Sequence, residues 1–148
     1  FTGNTINTPS LLCVEDALDA MSWAKKIGGL EAQIERSENN LAAIAKWVEK
    51  TSWVEFVVAD PTFRSCTSVC LKLSENCGID HIHRAAVPSR IADLLAAEKV
   101  AYDINAYHES PPGLRIWAGA TVELEDVKAL LPWLDWAFEE VSAGDQNA

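Results

Sequence analysis

One stretch limits what this chain can fold into more than any other: Tyr107 to Thr121, YHESPPGLRIWAGAT. Pro111, Pro112 and Gly113 demand a turn, because two prolines fix φ and remove backbone donors while glycine tolerates positive φ. Leu114, Ile116 and Trp117, set around Arg115, then read as a short strand or extended segment. A guanidinium on a rigid segment just past a constrained turn is a fixed fork of donors, suited to a carboxylate or a phosphate. The competing reading is an ion pair with a nearby Asp or Glu, which is common in a chain this acidic.

The acidity itself narrows the function. The net charge is −10, whereas a nucleic-acid binder needs a basic face. Hydrophobic residues make up 49% of 148 residues, enough for the core of one ordinary domain. No apolar run approaches the ~20 residues of a membrane span, and no signal peptide is visible. These features fit a cytoplasmic metabolic protein. The chain opens at Phe1 and its one methionine is Met21, so it reads as a fragment or a processed chain.

Cys66, Cys70 and Cys77, followed by His81 and His83, invite a metal site. Structural zinc sites, however, use tight cysteine pairs in loops. Here Cys66 and Cys70 flank Thr67, Ser68 and Val69 in a strand-like run. Alternation puts Cys66, Ser68 and Cys70 on one face and Thr67, Val69 and Leu71 on the other. We therefore expect reduced cysteines buried as small hydrophobes, with no metal and no disulfide.

Residues 1–10, FTGNTINTPS, read as a polar loop with Pro9 and Ser10 at a helix entrance. Asn and Thr side chains ahead of a helix N-terminus form a phosphate cradle in many proteins, although helix-entry loops often look this way. The helix that follows ends at Gly28–Gly29, with Lys25 and Lys26 in its last turn. A second helix is expected over Leu30–Lys50, with Ile34, Leu41, Ile44, Ala45 and Val48 as its apolar stripe. Strands are expected at Trp53–Val58, Ser65–Leu73 and Val100–Ile104. Residues 74–86 lack a period and read as a loop, and a helix starts at Pro88 or Ser89 and runs to Lys99. A last helix spans Glu123 to about Val141, kinked or broken at Pro132. The tail GDQNA reads as disordered. This order predicts an α+β two-layer sandwich: a small, mainly antiparallel sheet with helices on one face.

Several of these stretches resemble one family. GNTINTPS, LLCVEDALDAMSWAKKIGGL, RSCTSVCLKL, VAYDINAY, PPGLRIWAGATVE and LLPWLDWAF are similar, in order and spacing, to phosphoserine aminotransferase of the alphaproteobacterial type. The resemblance covers nearly the whole chain but only the C-terminal part of that enzyme. It implies that residues 1–148 are the small domain of a fold-type I enzyme, with a helical segment leading from a large pyridoxal-phosphate domain. It implies a cytoplasmic homodimer that exchanges an amino group between glutamate and the phosphorylated ketoacid 3-phosphohydroxypyruvate to make phosphoserine. Pyridoxine synthesis is a second implied role. The family's catalytic lysine matches neither Lys25 nor Lys26, so no catalytic residue is expected in this chain.

The resemblance assigns residues as well. The family's NTP motif falls on Asn7, Thr8 and Pro9, which implies that Asn7 and Thr8 reach the partner subunit's cofactor phosphate. The substrate-carboxylate arginine falls on Arg115. A basic residue used for the substrate phosphate falls on His108, which reads equally as an exposed loop histidine. Some relatives carry an arginine beside it where this chain has Glu109. Two alternatives remain: a fragment of another class V-type aminotransferase, or a non-catalytic α+β ligand-binding module.

Overall fold

The computed structural model describes residues 5–107 and 109–146. It divides into two compact units, residues 1–35 and 36–148.

In the first unit, Ser10 caps helix α1 (Leu11–Lys26) by accepting from the Cys13 N–H at 3.4 Å. Gly28 and Gly29 have φ of 118° and 78°, values that favour glycine, and they turn the chain into α2 (Gly29–Val48). Helix α1 buries none of its residues, and Leu11, Leu12, Leu18 and Met21 are exposed.

The second unit is built on three antiparallel strands in the order β1 (Val54–Phe56), β2 (Ser68–Leu73) and β3 (Leu114–Trp117). Val54 pairs with Leu73 and Val69 with Ile116. The period of two puts Val54, Val69, Leu71, Leu114 and Ile116 on the buried face. That face meets the core contributed by Ile44 of α2, Val87, Ile91 and Leu95 of α4 (Val87–Ala97), and Leu131 and Leu134 of α5 (Leu124–Gln146). The other face carries Ser68, Cys70, Lys72, Arg115 and Trp117. The expected α+β sheet with helices on one face is therefore the fold observed.

Polar ties fix the helices to one another and to the loops between them. Asn40, fully buried on α2, donates Nδ2 to the carbonyls of Ala118 and Val122 at 3.1 and 3.0 Å. Asp135 on α5 accepts from the indoles of both Trp47 and Trp53 at 2.9 Å. Buried polar groups need such partners to offset their desolvation.

Five expectations are corrected. Val100–Ile104 is not a strand, because Lys99 and Asp103 take φ of 61° and 54°, and the Val100 N–H bonds back to Leu95. Among residues 74–86 a short helix, α3 (His81–Arg84), forms with Asp80 as its cap. Pro132 breaks nothing: α5 is one helix, with Val127, Leu131, Leu134, Ala137 and Val141 buried on both sides of the proline. It also carries the tail as far as Gln146. Finally, Cys77 is buried, but Cys70 is exposed, because its strand face is the open one. All four cysteines are free thiols, and among the described residues no three His, Cys, Asp or Glu side chains cluster to hold a metal. No described helix is long and apolar enough to cross a membrane.

Candidate functional site

The site grows from the turn before β3. Gly113 sits so close to β2 that a Cβ there would lie 2.3 Å from the Leu71 carbonyl oxygen, so only glycine fits without backbone movement. From that contact the chain folds back on itself. The Arg115 N–H donates to the Ile104 carbonyl at 2.7 Å, the Ala106 N–H donates to Gly113 at 3.1 Å, and Asn105 bridges to Leu114. Asn105 also donates Nδ2 to the Ser89 hydroxyl at 3.0 Å, which ties the returning segment to α4. Residues 104–107 are thereby laid beside β3 although they form no strand of their own.

Arg115 stands on the open face of the sheet, paired in register with Cys70. Its side chain is only 11% exposed. Nη2 donates to the Asp103 carboxylate at 2.9 Å and to the Asp103 carbonyl at 3.3 Å. The guanidinium carbon lies 4.4 Å from the centroid of the Tyr107 ring, a cation–π contact. Nε is buried and has no hydrogen-bond partner among the described residues. A buried donor of this kind costs free energy until something accepts from it. Arg115, Tyr107, Pro111, Gly113, Leu114 and Cys70 line a cleft of about 120 Å³.

Both sequence readings of Arg115 thus have a basis in the structure. It has an acidic partner, but Asp103 is 89% exposed, and an ion pair so open to water contributes about 0–1 kcal/mol. The arrangement leaves a nearly enclosed cation with in-plane donors at a cleft, able to hold one small carboxylate. Asp103 and Tyr107 were not legible as its neighbours. No spacing rule joins them to Arg115, since the fold-back at Asn105 brings them together.

Asn7 and Thr8 lie in the first unit, exposed ahead of α1. The Thr8 N–H donates to Asn7 Oδ1 at 2.8 Å. An amide and a hydroxyl before a sixteen-residue helix are the donor types a phosphate takes, so these residues fit the implied cofactor group. His108 lies outside the described residues.

No protein-family model matches the chain. It is 43% identical over 143 residues to the phosphoserine aminotransferase of Methanosarcina mazei, covering 95% of this chain and 36% of that protein. It is likewise 43% identical over 141 residues to the Methanosarcina barkeri phosphoserine aminotransferase. The chain thus spans about a third of the length of these curated relatives, and over nearly all of its own length it is their homologue. Among solved structures it superposes on phosphoserine aminotransferase from Bacillus circulans subsp. alkalophilus, with a TM-score of 0.71 over 90% of this chain and 34% of that one. At 18% identity that likeness speaks to the fold alone.

Proposed function

We propose that this chain is the C-terminal part of a phosphoserine aminotransferase and supplies its grip on the substrate α-carboxylate through Arg115. The observation that carries the proposal is Arg115 itself: a nearly enclosed guanidinium with an unpartnered Nε at a cleft, in a chain homologous to that enzyme. The substrates are glutamate and 3-phosphohydroxypyruvate, and every amino or keto acid in this exchange carries an α-carboxylate. Holding that group at two points orients the reacting carbon, and orientation is a large part of the barrier. A planar guanidinium offers two parallel donors where lysine offers a point charge.

Pyridoxal phosphate, when bound, supplies the electron sink for amino-group exchange. Asn7 and Thr8 would hold its phosphate across a homodimer interface, and His108 would hold the substrate phosphate. The catalytic lysine belongs to the longer polypeptide and not to Lys25 or Lys26. The exposed Leu11, Leu12, Leu18 and Met21 of α1 support the linking role of this helix, since contiguous apolar surface calls for a cover. In this reading the rest of the polypeptide provides it. A cytoplasmic place and a second role in pyridoxine synthesis belong to the same proposal.

Arg115→Lys in the full-length enzyme tests the reading. It should lower kcat/KM for glutamate and for phosphoserine by a similar factor. A loss of about 3 kcal/mol corresponds to roughly a hundredfold. The cofactor spectrum and thermal melt should not change. Retained activity, or activity lost only through unfolding, would make Arg115 a structural ion-pair residue.

A further inference from the structure

We infer that Tyr107 is a positioning residue: its ring holds the Arg115 guanidinium in place and so helps a carboxylate to meet it in one orientation. The inference rests on the proposed role of Arg115 and deepens it. Arginine loses several rotatable bonds of freedom when it must present a fork in one orientation, and that cost is lowered if the free protein already holds the fork. Two contacts do this here. Asp103 takes Nη2 hydrogens on its carboxylate at 2.9 Å and on its carbonyl at 3.3 Å, which pins one corner of the group. The Tyr107 ring lies beneath the guanidinium carbon, which sits 4.4 Å from the ring centroid, and so limits where the group can swing. Nε, buried and without a partner among the described residues, is left as a donor for the ligand.

The backbone holds Tyr107 for this purpose. The Ala106 N–H bonds to the Gly113 carbonyl at 3.1 Å and the Ser110 N–H to the Tyr107 carbonyl at 2.9 Å, so a ladder contact and a turn flank the residue. Its side chain is not part of the core. Tyr107 is 65% exposed, far more than packing requires of a tyrosine. An aromatic ring so open to water, laid over a nearly enclosed cation, acts on that cation and contributes little to the stability of the domain.

The test uses the full-length enzyme with glutamate and phosphoserine as probes. Tyr107→Leu should raise KM for both by roughly three- to tenfold, the range a cation–π contact supports, with kcat within about twofold. Tyr107→Phe, which keeps the ring, should restore KM to the wild-type value. Thermal melts of both variants should match the wild type. Equal KM values in all three proteins, or a Phe variant as impaired as the Leu variant, would overturn the inference. Arg115→Lys is measured alongside. If it lowers kcat/KM while Tyr107→Leu leaves KM unchanged, only the positioning role fails. If Arg115→Lys itself has no effect, there is no carboxylate grip to position, and both ideas fall.

Discussion

The Asp103 carboxylate meets Arg115 through a single guanidinium nitrogen, Nη2, at 2.9 Å. That nitrogen also belongs to the edge a substrate carboxylate would use. The exposed aspartate therefore stands where part of an incoming carboxylate must go. Asp103→Asn in the full-length enzyme keeps the backbone carbonyl contact and removes the competing charge. It should lower KM for glutamate by about two- to fivefold, within what an exposed ion pair is worth. A raised KM with an unchanged melt would show instead that the carboxylate anchors the arginine.

Gly113→Ala tests the close approach of β3 to β2. The added Cβ would meet the Leu71 oxygen at 2.3 Å, and backbone on both sides must move. Overpacking of this kind costs about 1–3 kcal/mol. A chemical-denaturation midpoint equal to that of the wild type would mean that β2 and β3 separate more easily than their register implies.

Cofactor retention tests the first unit. The double variant Asn7→Ala with Thr8→Ala should release pyridoxal phosphate more readily in dialysis, since each lost hydrogen bond to a charged phosphate costs about 1.5–3 kcal/mol. Unchanged affinity would remove Asn7 and Thr8 from the site.

His108→Ala separates two roles by substrate. If His108 grips the substrate phosphate, kcat/KM should fall far more for phosphoserine than for glutamate, which has no phosphate. Equal losses would identify a loop histidine with a structural role.

Asp60 provides a pH test away from the site. It accepts from the Thr62 N–H at 2.9 Å and the Thr62 hydroxyl at 2.8 Å. The backbone bond first, then the hydroxyl and the nearby Arg64, hold its carboxyl below the ordinary 3.8. A depressed acid contributes stability that is present above its unfolded pKa and lost as pH falls through the folded value. An NMR titration should place the Asp60 midpoint below 3.8, and Thr62→Val should move it upward. A midpoint at or above the ordinary value would contradict the capping geometry.

What the sequence determined alone was the local structure. Proline and glycine punctuate by restricting φ, so the break at Gly28–Gly29 was legible without coordinates. Ahead of β3 the turn hydrogen bond runs from Ser110 to Tyr107, and Gly113 takes no positive φ, so there the glycine serves its close approach to Leu71 instead. Alternation in RSCTSVCLKL grouped the residues of β2 by face, and helical periodicity located α1, α2, α4 and α5. The polar Asn7–Thr8 loop and the isolated Arg115 were also visible as residue types in telling places. Only the tertiary structure decided the rest. Which face of β2 is open depends on where the helices pack, so Cys70 could not be called exposed from alternation. Pro132 removes one donor from α5, and it took the buried stripe on both sides to show that packing outweighs this loss. Left-handed backbone at Lys99 and Asp103, neither of them glycine, turned an expected strand into the loop that carries Asp103 and Tyr107 to Arg115. Those contacts join residues whose separation follows no period, so no pattern along the chain could have revealed them.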